Sequence, residues 1–322
     1  MSEIHSAGPS NPSNKWERQL LEKLSLAAIN EQRRSRRWGI FFKLAFLSYL
    51  VVILMLFSLD RDALDNVKQG NHSAIVDLTG VIAAGEEASA DKIISSLRDA
   101  FKDKKTKGVI LRLNSPGGSP VQASYIYREI KRLRKKYPKI PLYAVVVDMC
   151  ASACYYIASA ADKIYANENS LVGSIGVLIN SFGYVGLMEK IGVERRLLTA
   201  GEHKGILDPF SPAKPEETDY IKSVLAELHQ QFINAVKEGR GDRLKDDPIL
   251  FSGLFWSGLR GKDIGLVDDF SSSSDVARDV IGEEDMKNFT TKRDLLDQLA
   301  DRLGLSLAKG LLPGSKSILE YR

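Results

Sequence analysis

The run Leu142-Tyr-Ala-Val-Val-Val147 does most to limit what this chain can fold into. It is apolar and β-branched with no polar alternation, so it reads as a strand covered on both faces. That is the situation of a parallel sheet packed between helices. The run stops at Asp148, and Ser152 follows between Ala151 and Ala153. Tyr155 to Ala161 is alanine-rich and predicts a helix. Ser152 therefore falls at a strand-to-helix turn, where small neighbours leave its hydroxyl uncovered and helix N–H groups favour negative charge. A plain helix-capping serine would occupy the same place. The Gly-x-Ser-x-Gly pattern of a nucleophile elbow is absent, because Cys150 and Cys154 hold the glycine positions. The role of Ser152 must therefore be judged from the rest of the chain.

The pattern around that strand is alternating. Ile75–Ile82 and Gly108–Asn114 read as strands, Ser89–Lys102 and Val121–Lys136 as helices, the first of them capped by Ser89. Strands alternating with helices predict an α/β fold with parallel strands and right-handed crossovers. Functional groups in such sheets lie beyond the carboxyl ends of the strands. Ser115-Pro-Gly-Gly-Ser-Pro120 and Ser152 both fall at such ends. Gly117 and Gly118 expose backbone N–H groups with no side chain in the way, as an oxyanion site requires; an ordinary Pro-Gly turn looks the same. Further on, the sequence predicts a helix over 182–191, a strand over Glu194–Leu198, a loop over 199–209 and a long helix over Pro215–Glu238. A helix–turn–strand return over 253–268 and a short helix over Asp275–Ile281 complete it. Ser89-Ala-Asp-Lys92 matches a Ser-x-x-Lys motif but lacks its companion motifs, and reads as a cap.

The N-terminal part has a different character. Residues 38–59 form a 22-residue, almost wholly apolar run, directly preceded by Arg33, Arg34, Arg36 and Arg37. A helix of that length spans about 33 Å, enough for a bilayer. Positive charge stays on the cytoplasmic side. The expected organisation is a cytoplasmic segment over 1–37 containing an amphipathic helix (Lys15–Gln32), an uncleaved transmembrane anchor over 38–59 and a linker over 60–73. An extracytoplasmic domain over 74–285 and a helical or loose tail over 286–322 follow. The formal charge of +4 comes largely from residues 1–37, with seven Lys/Arg against four Glu, and the remainder is nearly neutral. No nucleic-acid partner is expected from such a balance. The only two cysteines, Cys150 and Cys154, would lie on one helix face at i and i+4, poor geometry for a disulfide, and are expected as buried thiols. They are too few for a structural zinc site, and no metal or cofactor is expected.

A serine nucleophile needs a base. Four histidines are present: His5 in the cytoplasmic segment, His72 in the linker, His229 in the long helix and His203 in the 199–209 loop. Lys204, beside His203 and before Gly205-Ile-Leu, serves equally if it is neutral and desolvated. Local chemistry leaves His203 and Lys204 both open.

Together, Leu113-Asn-Ser-Pro-Gly-Gly118, Ala151-Ser-Ala-Cys-Tyr-Tyr-Ile-Ala158, Ala161-Asp-Lys-Ile-Tyr-Ala166, Gly173-Ser-Ile-Gly-Val177, Gly201-Glu-His-Lys204 and Gly265-Leu-Val-Asp268 resemble the bacterial signal peptide peptidases, membrane-anchored serine peptidases of family S49. The resemblance runs from about residue 74 to 281. It implies a ClpP/crotonase-like α/β fold with a mostly parallel sheet behind one transmembrane helix, at the bacterial inner membrane. It also implies a Ser–Lys dyad, with Ser152 as nucleophile, Lys204 as general base and Ser174 orienting the lysine. The Gly117-Gly118 turn falls on the oxyanion loop, and the N–H of Ala153 or Ser152 is expected to complete the oxyanion site. Further implications are a homo-oligomeric ring in which neighbouring subunits share active sites, and cleaved signal peptides as substrates. A departure from the family pattern is Ala-Ser-Ala-Cys where the family has Ala-Ser-Gly-Gly, which bears on the substrate groove. Rival readings are a Ser–His enzyme using His203, a crotonase-like acyl-CoA enzyme, a relative that processes membrane-scaffold proteins, and a non-catalytic scaffold of the same fold.

Overall fold

A computed structural model describes residues 12–58 and 70–291; within the first stretch, side chains are described for 22, 23, 26 and 31–53. The expectations for residues 1–11, for residue 59 of the anchor, for 60–69 of the linker and for 292–322 of the tail lie outside the described residues. The chain divides into two units, Met1–Gln69 and Gly70–Arg322.

Among the described residues the first unit contains one helix, α1 (Pro12–Ser58), which runs unbroken through both the expected amphipathic helix and most of the apolar run. From Ile40 to Val52 it exposes Ile40, Phe41, Phe42, Leu44, Phe46 and Leu47, among others. Among the described residues no helix is long and apolar enough to cross a membrane. The expected anchor is thus not recovered there: the described side chains of the run stop at Ile53, short of the about 20 apolar residues a crossing needs.

The second unit alternates strand and helix as its sequence dictates. Its elements are β1 (His72–Thr79), α2 (Ala90–Lys102), β2 (Thr106–Ser115), α3 (Pro120–Lys136), β3 (Leu142–Ala151), α4 (Ala153–Ala158), β4 (Lys163–Ala166) and β5 (Leu171–Gly173). Then come α5 (Val185–Ile191), α6 (Pro215–Arg240), β6 (Phe255–Ser257), α7 (Gly258–Asp263), β7 (Asp269–Phe270), α8 (Ser273–Asp275) and β8 (Met286–Asn288). The sheet order is β6-β5-β3-β2-β1-β8, with β4 pairing β3 and β7. Among the described residues only the β5–β6 pairing is antiparallel.

Successive side chains along a strand point to opposite faces. Val76, Leu78, Leu111, Leu113, Ala144 and Val146 enter the main core, under Ile93, Leu97 and Phe101 of α2, Ile126 and Ile130 of α3, and Phe232 and Val236 of α6. Ile75, Ile110 and Val145 face the other way, onto Tyr165, Val276 and Ala277. Both faces are covered, which explains the unalternated run in β3.

Several local expectations are corrected. β1 begins at His72, which is 1% exposed, so His72 belongs to the sheet and not to the linker. The strand ends at Thr79, and Ile82 keeps only an isolated bridge to Gly118. Ser89 makes no side-chain cap bond; the Ala90 N–H donates instead to Gln122 Oε1 at 2.7 Å. The helix expected over 155–161 starts and ends earlier, at Ala153–Ala158. Glu194–Leu198 is irregular and exposed, because no strand lies beside it to take up its backbone groups. The tail begins with β8, which pairs with β1 through Ser73↔Met286 to Ile75↔Asn288.

Glu129, nearly buried on α3, accepts from Arg132 at 2.7 and 2.8 Å and from Arg98 at 2.7 Å. The bonds from Arg132, then those from Arg98, outweigh the opposing effect of burial and hold its carboxyl at about 2, against an ordinary 4.5. A depressed carboxylate stabilises the fold above its unfolded pKa, and that stability is lost as pH falls through the folded one. Thermal melts taken between pH 5 and 2 should show wild type losing stability faster than Glu129→Gln; parallel curves would show that this carboxylate is not clamped.

Candidate active site

Because β2, β3 and β5 run parallel, their carboxyl ends share one edge of the sheet, and three predicted site segments meet there. Ser152 follows β3 with φ 53° and ψ −123°. These are the dihedrals of the first central residue of a type II′ turn, where glycine dominates. The Ser152 N–H donates to the Gly173 carbonyl at 2.8 Å, and its own carbonyl accepts from Tyr156 N–H at 3.0 Å. Ser174 follows β5, also at positive φ (54°), with its N–H donating to the Leu254 carbonyl at 2.7 Å. Among the described residues the other non-glycine residue at positive φ is Leu207. A conformation of this kind costs on the order of 1–3 kcal/mol and is kept only where the surroundings enforce it.

Gly117 and Gly118 close over the serine. A Cβ on Gly117 would lie 2.8 Å from Ser152 Cβ and 2.9 Å from the Ala151 carbonyl; one on Gly118 would lie 2.2 Å from the Ile82 carbonyl. Both are at positive φ, 108° and 146°. The four candidate oxyanion donors are not equivalent. Gly117 N–H donates to Ser115 Oγ at 3.1 Å, and Ser152 N–H is taken by Gly173. Gly118 and Ala153 have no backbone N–H acceptor among the described residues. Gly117→Ala should therefore push Ser152 out of line and lower kcat by roughly 10²-fold. Gly118→Ala, which strikes β1–α2 backbone, should lower the melting temperature. Equal kcat in Gly117→Ala and wild type would show that this contact does not seat the serine.

A cavity of about 210 Å³ opens beside Ser152, lined by Gly118, Val121, Ala153, Tyr156, Val177 and Phe232 among others. A larger one, about 770 Å³, lies around Arg112, Asp148 and Ser272 and contains neither serine. The chemistry therefore points to the smaller cavity.

Lys204 is elsewhere. It sits exposed in the turn after Gly201, its N–H donating to the Gly201 carbonyl at 3.1 Å, and it does not line the Ser152 cavity. The desolvated position expected from Gly205-Ile-Leu is not found in the single chain, because residues 192–204 are exposed throughout. His203 is exposed too, with Nδ1 3.7 Å from Glu217 Oε1. His229 is half-buried on α6, its Nε2 3.0 Å from the Ile175 carbonyl, as a packing residue. The fold thus joins Ser152, Ser174, Gly117, Gly118 and Ala153, and leaves both candidate bases outside.

Cys150 and Cys154 form a disulfide, Cα–Cα 5.1 Å, where two free thiols were expected. They are not on one helix: Cys150 is the second-last residue of β3, Cys154 the second of α4, and the sharp turn at Ser152 brings them face to face. The signal was in the sequence, as two cysteines spaced evenly about a serine at a predicted strand end.

A half-buried serine at a strained turn on the carboxyl edge of a parallel sheet, lining a cavity and faced by a Gly-Gly turn with a free N–H, is the arrangement of serine hydrolases. The chain belongs to peptidase family S49, whose description matches residues 134–305, more than half of its length. It is 34% identical over 193 residues to the putative protease MJ0651 of Methanocaldococcus jannaschii, covering 60% of this chain and 61% of that one. It is 30% identical over 227 residues to the putative signal peptide peptidase SppA of Enterococcus faecium, covering 70% and 65%. It is also 41% identical over 235 residues, 73% of this chain, to a protein of Brucella abortus named as the Na(+)/H(+) antiporter NhaA, of which it spans 32%. The chain therefore spans between about a third and two thirds of these relatives' lengths.

Proposed function

We propose that this chain is a membrane-anchored serine endopeptidase that degrades signal peptides left in the membrane after export. The observation that carries the reading is Ser152, held at φ 53° against Gly117 at the mouth of an apolar cavity. Ser152 attacks a peptide carbonyl. The N–H groups of Gly118 and Ala153 hold the oxyanion, and water then hydrolyses the acyl-enzyme.

The base is Lys204, oriented by Ser174. A neutral lysine near pH 7 requires its pKa to drop by roughly 3 units, about 4–5 kcal/mol, which only a dry site supplies. Lys204 is exposed in the single chain, so the covering comes from a second copy: Lys204 of one subunit reaches Ser152 of the next in a ring. The apolar run over 38–59 with its arginine flank anchors the chain in the bacterial inner membrane, N-terminus in the cytoplasm. The Cys150–Cys154 disulfide fits a catalytic domain on the oxidising side.

The test is a mixing experiment with full-length chains and a signal-peptide substrate. Lys204→Ala and Ser152→Ala are each expected to be inactive, while His203→Ala still cuts. Co-refolded Lys204→Ala and Ser152→Ala chains should regain activity, at roughly a quarter of the sites for a head-to-tail ring. Activity in Lys204→Ala would remove the dyad and bring His203 forward. No recovery in the mixture would place lysine and serine on one chain.

A further inference from the structure

We propose that the Cys150–Cys154 disulfide is a positioning element of the nucleophile: it closes the strand-to-helix turn around Ser152, so that hydrolysis depends on the oxidised bridge. The inference rests on the peptidase reading of Ser152.

Placement comes first. Cys150 is the second-last residue of β3, Cys154 the second of α4, and Ser152 lies midway. Their Cα atoms are 5.1 Å apart, whereas four extended peptide units would span about 13–14 Å. The bridge excludes every opened form of the turn. Next, the turn needs holding. Serine does not favour φ 53° and ψ −123°, and such a residue stays there only when its surroundings over-determine it. The non-covalent restraints on its backbone are few: one bond to Gly173, one from Tyr156, and contact with Gly117.

The positions themselves are informative. In a Gly-x-Ser-x-Gly elbow the glycines stand two residues before and two after the serine, where the turn brings the chain against itself. Here cysteines stand at both, wholly buried, and a covalent bond takes the place of the bare backbone contact. A disulfide constrains the unfolded chain less the shorter its loop, so one closing so short a loop acts mainly on the turn itself.

Forming the bridge removes two protons and two electrons from the two thiols. The acceptor is a disulfide-bearing oxidant, which leaves as a dithiol. Burial of both cysteines means the bond forms during folding and is sheltered afterwards. A chain still in a reducing compartment carries the same serine in an unclamped turn, so activity follows arrival on the oxidising side.

The experiment uses the full chain in three forms: oxidised wild type, wild type unfolded, reduced by a phosphine and refolded with the phosphine present, and Cys150→Ala/Cys154→Ala. In the reduction, the phosphine takes oxygen from one water and the bridge becomes two thiols. Rates are normalised to sites labelled by a serine-directed fluorophosphonate. The expected result is a kcat per labelled site lower by about 10- to 100-fold without the bridge, with KM changed less than about twofold. A purely structural bridge would instead lower the melting temperature and the labelled fraction and leave kcat per labelled site unchanged; that outcome overturns the inference. Should the double variant not fold, the reduced wild type carries the comparison. Oxidised wild type without Ser152-dependent hydrolysis would sink the peptidase reading and this inference together. Active wild type with unchanged kcat after reduction would overturn the clamp alone.

Discussion

Ser152→Ala is expected to reduce peptide hydrolysis by about 10⁴- to 10⁶-fold, because under the proposed function it removes the covalent nucleophile and leaves only binding and oxyanion stabilisation. Loss of activity alone does not show that the residue's conformation serves chemistry, and a second variant does. Ser152→Gly should be as inactive as Ser152→Ala, yet melt at a higher temperature than it. Glycine takes φ 53° and ψ −123° without penalty, whereas alanine keeps the strain. The released strain, on the order of 1–3 kcal/mol, exceeds the roughly 0.5–1 kcal/mol that glycine's extra unfolded-state freedom costs. A net gain of about 1 kcal/mol is expected. Calorimetry of the two variants decides the matter: a Gly variant melting at or below the Ala variant would mean that the turn is not strained, and that its geometry says nothing about function.

The largest loss of stability is expected at Arg240, which does not line the cavity beside Ser152. Arg240 is 1% exposed, and its guanidinium grips Asp268 with two bonds, 2.7 and 3.0 Å, while Nε donates to the Gly265 carbonyl at 2.9 Å. Asp268 Oδ2 also accepts the Ile164 N–H at 2.6 Å, tying α6 to the start of β4. Gly265 permits this approach, because a Cβ there would fall 1.8 Å from the Arg243 carbonyl. Burial alone would raise the Asp268 carboxyl; the bonds and charge of Arg240, with smaller help from Ile164 and Arg243, reverse it, and its pKa lies below the ordinary range. Arg240→Ala leaves that carboxylate stranded but for Arg243 Nη1 at 3.2 Å and the Ile164 N–H, and should cost up to about 3–5 kcal/mol, roughly 10 °C in melting temperature for a domain of this size. The sign with pH is specific. In wild type, Asp268 stabilises the fold above its unfolded pKa, and that contribution fades as pH falls toward the lowered folded value. In Arg240→Ala the stranded group takes up a proton readily, so the gap between variant and wild type should narrow in acid. A constant gap from pH 7 to 4 would show that lost packing, not the stranded charge, carries the cost.

Neither effect could be sized from residues alone, although much of the architecture could. The strand over Leu142–Val147 was legible because unalternated β-branched runs have few other folded uses, and it is covered on both faces as far as Val146, with Val147 exposed. The alternation of strand and helix, the Ser115-Pro-Gly-Gly turn and the placing of Ser152 at a strand end were legible for the same local reason. Glu194–Leu198 was not, since a strand needs a partner and the sequence does not say whether one is near. The cysteine pair was misjudged by extending a helix back over Cys150; the chain is still a strand there. Lys204 was judged by its neighbours in sequence, Gly205 and Ile206, but desolvation depends on what covers a loop from outside.

Sequence by itself determined that this chain builds a parallel α/β sheet and presents Ser152 and a Gly-Gly turn at strand ends. Hydrophobic periodicity and turn chemistry act over a few residues and can be read in order. Tertiary structure decided which N–H groups remain free, that Cys150 and Cys154 close on each other, and that Lys204 stands in solvent. Those outcomes depend on register and approach between β2, β3 and β5, segments tens of residues apart, and no local pattern sets the distance between them.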